Sequence, residues 1–220
     1  MIKYGIITGS SRGIGLATAQ LLLQDGSTEV IGTSTSGHSD IKAQHFKCLP
    51  LELSDGTSIN NFVRHIGDRK IDFLINNAAI LVEDWHIPEI NMQQLKKTFE
   101  VNLFGTIALT EELLPQFNTN AHIINITSNW GAFSDPHFDE YQPHYKLSKV
   151  ALNMYTKLLA KRLEGKKITV SSLDPGWVQS DMGGDNANRQ PKAVAIEILH
   201  LLDTKVETGQ FWHQGNARKW

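Results

Sequence analysis

Short apolar runs alternate with longer stretches of helical period along this chain. The runs Tyr4–Thr8, Glu29–Thr33, Phe46–Leu51, Phe73–Asn76, His122–Thr127 and Thr169–Leu173 read as strands, and a last one lies near Gln210–His213. Helical stretches begin near Gly13, Thr57, Met92, Pro143 and Pro191. This alternation predicts an α/β fold: a parallel sheet of about seven strands with helices on both faces. Right-handed crossovers make such a sheet doubly wound, of the Rossmann type, with its ligand site at the carboxyl ends of the strands. No repeat, low-complexity segment or Pro/Gly/Ser-rich linker divides the 220 residues, so a single domain over 1–220 is expected.

Composition narrows the picture. Hydrophobic residues make up 40% and charged residues 20%, the balance of a soluble globular protein. A net charge of −2 gives no reason to expect a nucleic acid or an anionic membrane as partner. No apolar run approaches the roughly 18 residues of a membrane span. The chain enters a strand-like run at Lys3, so no signal peptide is expected. Cys48 is the single cysteine and cannot form an internal disulfide, which makes a cytoplasmic location the expectation. Its place in Phe46-Lys47-Cys48-Leu49 suggests a small buried side chain and not a nucleophile.

The first strand runs into Thr8-Gly9-Ser10-Ser11-Arg12-Gly13-Ile14-Gly15. Glycines at 9, 13 and 15 allow a tight turn, a close backbone approach to phosphate and close helix–sheet packing. The N–H groups opening the next helix would then face a pyrophosphate. The spacing is Gly-x-x-x-Gly-x-Gly, and the Lys-Ser/Thr ending of a P-loop is missing. After the second strand, Gly32-Thr33-Ser34-Thr35-Ser36-Gly37 carries no acid before Asp40 to bind ribose hydroxyls. Arg12 offers a fixed fork of donors suited to a ribose phosphate, and Thr35 adds a hydroxyl. These features favour NADP over NAD.

Chemistry gathers further along. Tyr145 and Lys149 stand four apart in the stretch opening at Pro143, so they share one helix face. A free phenol has a pKa of about 10, and a neighbouring ammonium favours the phenolate. Ser128 follows the strand His122–Thr127, at an end where a hydroxyl can bond a substrate oxygen. Asn102 lies inside a helical pattern as a polar relay or a tolerated amide. Each residue alone means little; their order and their coincidence with the glycine turn carry the reading. His144 points about 100° away from Tyr145 and reads as a helix-start residue. The histidines show no metal-ligand spacing, so no metal is expected.

With these pieces in order, the chain resembles the short-chain dehydrogenase/reductase family over nearly its whole length. The matches are the glycine turn, Asn76-Asn77-Ala78-Ala79, Asn102, Ser128, Tyr145-x-x-x-Lys149 and Pro175-Gly176-Trp177-Val178-Gln179-Ser180. The resemblance implies that Tyr145 is the general acid/base. It implies that Lys149 lowers its pKa and binds the nicotinamide ribose, Ser128 orients the carbonyl oxygen and Asn102 holds a water in a proton relay. It implies NADP contacts at Gly9, Ser11, Arg12, Gly13, Ile14, Gly15, Thr35, Leu53, Asn77, Ala78, Ala79, Tyr145, Lys149, Pro175, Gly176, Val178 and Ser180. Within the family, the loop after Gly32 is similar to that of bacterial 3-oxoacyl-carrier-protein reductases. The segment from Trp177 to Gly184 and the final Trp220 are similar to compact carbonyl-reductase and C-factor-like members.

Three positions depart from the family pattern. Glu52 stands where Asp is frequent, Ala79 where Gly is common, and the stretch between Ser128 and Tyr145 is long. That stretch, Asn129 to Gln142, holds Trp130, Phe133, His137, Phe138 and Tyr141, and is either an aromatic pocket wall or a surface loop. The segment from Asp181 to Gln190 is short, polar and rich in Gly and Asn, which suggests a small mobile lid over an open site. The expected function is hydride transfer between NADP(H) and a small carbonyl or alcohol substrate. The alternatives are an NADP(H)-sensing protein without turnover, or an isomerase or dehydratase on the same fold. The resemblance also implies a homodimer or homotetramer built through helices near 95–117 and 143–164.

Overall fold

The computed structural model describes residues 2–82 and 86–220. Eight strands form one sheet in the order β3-β2-β1-β4-β5-β6-β7-β8. They are β1 (Lys3–Ile7), β2 (Thr28–Ser34), β3 (Phe46–Pro50), β4 (Ile71–Asn76), β5 (Phe117–Ile126), β6 (Thr169–Leu173), β7 (Gln210–His213) and β8 (Asn216–Arg218). All neighbours pair in parallel except β7 and β8. The winding reverses between β1 and β4, and a doubly wound sheet opens its ligand crevice at such a point.

The central strands carry apolar side chains on both faces. Ile6, Leu74 and Ile123 point to one face; Ile7, Ile75 and Ile124 point to the other. Helices α2 (Gly56–Ile66), α4 (Thr106–Leu113) and α5 (Pro143–Leu163) cover the first face with Ile59, Phe62, Leu109, Leu113, Leu159 and Leu163. Helices α1 (Gly13–Leu22) and α6 (Pro191–Asp203) cover the second with Ala19, Leu22, Val194, Ile198 and Leu201. Helix α3 (Met92–Phe99) runs through a π-helical turn, Glu100–Gly105, into α4.

Two differences from the sequence reading have local causes. The eighth strand is only three residues long and follows a two-residue turn, Gln214 (φ 49°) and Gly215 (φ 76°), both left-handed. Left-handed φ at both central residues makes the turn a hairpin connector, but Gln-Gly announces it more faintly than Asn-Gly. Cys48 is half-buried, because β3 is an edge strand, with Sγ 3.7 Å from Ser34 Oγ. Among the described residues, no helix is long and apolar enough to cross a membrane.

Candidate active site

The glycine turn is stitched to two neighbouring strands. Gly9 N donates to Thr33 Oγ1 (3.3 Å) and Ser10 N to the Thr33 carbonyl (2.8 Å) on β2. Past β4, Asn77 Nδ2 donates to the carbonyls of Thr8 (2.9 Å) and Gly9 (3.0 Å). The Thr8 hydroxyl accepts from the N–H groups of Asn77 (2.9 Å) and Ala78 (3.0 Å). Gly9 has φ 66°, and a Cβ on Gly15 would lie 2.3 Å from the Gly9 carbonyl oxygen, so the turn closes only on glycine. Arg12 caps α1 with extended backbone and no side-chain hydrogen bond to the helix start. The first-turn N–H groups therefore stay available to an anion.

A cavity of about 1180 Å³ runs along the carboxyl edge of the sheet. Gly9, Ser11, Arg12, Gly13, Ile14, Thr35, Leu53, Asn77, Ala78 and Ala79 line it on the side of β1 to β4. Ser128, Tyr145, Lys149, Pro175, Gly176, Val178 and Ser180 line the remainder. Of the residues expected at the site, Gly15 and Asn102 stand behind the wall. Arg12 Nη1 reaches across to Asp181 Oδ2 at 2.7 Å, with both side chains about three-quarters exposed.

Helix α5 opens at Pro143, whose ring suits the first helical position. Its first turns present Tyr145 (8% exposed) and Lys149 (2% exposed) side by side, with Lys149 Nζ 5.3 Å from the phenol ring centroid. Nζ donates to the Ile126 carbonyl at 2.9 Å. Burial pushes the Lys149 pKa down to about 7. Trp130 meets the Tyr145 ring edge-on at 6.0 Å. Ser128 Oγ accepts from Trp130 N (3.1 Å) and donates to Asn129 Oδ1 (3.3 Å).

Asn102 sits in the π-helical turn, a distortion often kept at functional sites. Its amide makes two 2.8 Å bonds with the N–H and carbonyl of Ile80 and donates to Ser148 Oγ at 3.2 Å. Ser148 in turn donates to the Tyr145 carbonyl at 2.7 Å. His144 accepts from Asn91 N at 2.9 Å, away from the cavity lining, as its angular offset from Tyr145 implies.

The Asn129–Gln142 stretch divides between the two roles weighed for it. Asn129, Trp130, Asp135, Pro136 and His137 line the cavity, whereas Phe133 and Phe138 are 84% and 69% exposed. Lys146 holds the stretch to α5 through the Asp139 carboxylate and lies 5.2 Å from the Trp130 ring centroid. The segment after Val178 folds back on itself: Gln179 N donates to the Arg189 carbonyl (2.8 Å) and Arg189 N to that of Trp177 (3.1 Å). The sequence reading assigned no role to Thr33 and Lys146, or to the Thr8 side chain at the head of the glycine turn, because their roles are tertiary bonds. It also passed over Asp174, Arg189, His213 and Arg218, which line the cavity from the far end of the sheet.

The chain is similar in sequence and in fold to known proteins. The short chain dehydrogenase family profile matches residues 3–191. The 3-oxoacyl-(acyl-carrier-protein) reductase of Escherichia coli is 31% identical over 205 residues, 89% of this chain and 82% of that protein. The corresponding reductase of Thermotoga maritima is 29% identical over 191 residues, 82% of this chain and 76% of that protein. Among solved structures, the carbonyl reductase Sniffer of D. melanogaster superposes with a TM-score of 0.87 at 25% identity, covering 100% of both chains. An NADPH-bound carbonyl reductase from chicken fatty liver gives the same TM-score, identity and coverage. The chain belongs to the short-chain dehydrogenase/reductase family and is an oxidoreductase of that family.

Proposed function

We propose that this oxidoreductase transfers a hydride between NADP(H) and a carbonyl or alcohol substrate, with Tyr145 as general acid/base. The observation that carries the reading is the pairing of Tyr145 and Lys149 on the wall of the cavity that the glycine turn also lines. The first-turn N–H groups of α1 fit the pyrophosphate. Gly15, with no room for a Cβ, fits the close approach of the glycine turn to α1. Bound there, the nicotinamide supplies or accepts the hydride.

The chain's own residues handle the oxygen and the proton. Tyr145 donates a proton to the substrate oxygen as a carbonyl is reduced, and takes it back in the reverse direction. Ser128 donates a second hydrogen bond to that oxygen as charge develops on it. The Lys149 ammonium beside the ring favours the phenolate and offers hydrogen bonds to ribose hydroxyls. The Asn102 amide, committed to Ile80 and Ser148, contributes by bracing the strand-end turn and the first turn of α5 behind Tyr145. NADP is preferred because Arg12 and the hydroxyls of Ser34, Thr35 and Ser36 line the adenosine end of the cavity. The working unit is a homodimer or tetramer joined through the exposed side chains of Phe104 and of Leu147, Met154 and Leu158 on α5.

The test is Tyr145→Phe. The variant is expected to lose turnover of a verified aldehyde or ketone while binding NADPH with little change. A Phe variant with near-normal rates overturns the assignment.

A further inference from the structure

Asp174 follows β6 and is 1% exposed. Its Oδ1 accepts from Gly176 N at 2.9 Å. Its Oδ2 accepts from Arg218 Nη1, on β8, and stands 3.1 Å from His213 Nδ1, at the end of β7. That same Nδ1 is 3.0 Å from the Asp174 carbonyl oxygen. Both of its partners can only accept, so Nδ1 carries the proton and the other ring nitrogen is turned away from Asp174. A second guanidinium, Arg189, donates to Glu197 and to the Pro175 carbonyl.

These groups are layered by depth. The Asp174 side chain is 2% exposed, whereas those of its partners Arg218 and His213 are 22% and 31% exposed; Arg189 and Glu197 are buried alike, at 12% and 13%. Asp174, Arg189, His213 and Arg218 line the cavity that Ser128 and Tyr145 line. Arg218 gives Nη1 to Asp174, lies 5.1 Å from the Phe211 ring centroid and is part of the cavity wall, and its guanidinium has further donors to offer a ligand. Fixing the C-terminal strand does not require these charges. β8 already pairs with β7, and Trp220 stacks on Phe211 at 5.2 Å. Buried ion pairs can often be replaced by apolar residues without loss of stability. A guanidinium held by a sunken carboxylate, with donors left over, is instead a preorganised receptor for an anion. Asp174 and Glu197 offset the charges of Arg218 and Arg189, and Asp135 adds a buried carboxylate to the cavity wall, so an anion here is held by the directed donors of Arg218 and not by net positive charge. The lack of net positive charge disfavours a dianion, and the planar fork of donors matches the two oxygens of a carboxylate.

We propose that Arg218, held by Asp174 and flanked by His213 and Arg189, is a substrate-recognition subsite for a carboxylate, so that the preferred substrates are carbonyl compounds bearing an acid group. The proposal rests on the reductase reading above and names the substrate class of that site.

Two assays on the full chain test it. In the first, kcat/KM with NADPH is measured for 4-formylbenzoate and for its methyl ester. The acid is expected to be favoured about tenfold or more, through KM, and Arg218→Gln is expected to bring the ratio near one. Arg218→Gln keeps a hydrogen bond to Asp174, and Arg218→Lys, which restores the charge, should recover part of the preference. An ester used as well as the acid, or a preference that survives Arg218→Gln, overturns the proposal. The second assay needs no turnover: benzoate and benzamide are titrated into the NADP⁺ complex, followed by the fluorescence of cavity residues Trp130 and Trp177. Tighter benzoate binding that Arg218→Gln abolishes supports the subsite even if neither aldehyde is reduced, an outcome that counts against the reductase reading alone. Equal binding of the two ligands overturns the subsite.

Discussion

At Lys149 two requirements oppose each other. Its charge is useful to Tyr145, yet its burial disfavours charge and brings the pKa to about 7 from an unperturbed 10.5. One bond to the Ile126 carbonyl offsets only part of that cost. The unfolded chain holds the proton between about pH 7 and 10.5 while the folded chain releases it, so stability rises with pH across that window. Below about pH 7 the folded state carries the full cost of the buried ammonium. Lys149→Met should therefore remove that slope and gain most, relative to the parent chain, near pH 6; urea unfolding from pH 6 to 10 measures it. An unchanged slope would contradict the burial argument. Arg12 is a different case. Its ion pair with Asp181 is exposed, worth about 0–1 kcal/mol, and easily exchanged for a phosphate. NADPH should raise the melting temperature well above NADH at equal concentration, and Arg12→Ala should narrow the gap. Equal shifts in the parent chain would remove Arg12 from the cofactor argument.

Among the elements, the glycine turn depends on bonds from outside its own sequence. Asn77 is the main strut, with two bonds to the Thr8 and Gly9 carbonyls. Asn77→Ala should cost about 1–3 kcal/mol and weaken NADPH binding, as urea unfolding and NADPH titration would show. Lost stability with unchanged NADPH affinity would make Asn77 a fold strut only. Helix α5 shows how far periodicity reaches. Its start at Pro143 and its Tyr145–Lys149 face were legible, because a four-residue offset fixes relative direction on any helix. The π-helical turn was not legible. Nothing in Glu100–Gly105 distinguishes it from α-helix, and the bonds from Asn102 to Ile80 appear only once β4 and its following turn are in place.

For the molecule as a whole, the outer face of α5 bears on assembly. Leu147, Met154 and Leu158 are 43%, 59% and 63% exposed and share one stripe, with Phe104 also exposed on the π-helical turn. The proposed assembly would form through this apolar stripe. Light scattering after size exclusion should give a dimer or tetramer, and Leu158→Glu should lower that mass. A monomeric parent chain would refute the assembly.

The order of strands and helices, the glycine turn and the Tyr145–Lys149 face were determined by the sequence itself, because each rests on local periodicity or on the conformational freedom of glycine. Which distant side chains share a cavity was decided by tertiary structure. Asp174 follows β6, His213 ends β7 and Arg218 ends β8, and only strand pairing brings them to one edge. The Asn129–Gln142 stretch is likewise held by tertiary contacts with no sequence signature, among them Lys146 with the Asp139 carboxylate and Asn153 with the Gly131 carbonyl. Local patterns encode direction along one element; the meeting of charges from different elements depends on packing, which one-dimensional spacing does not contain.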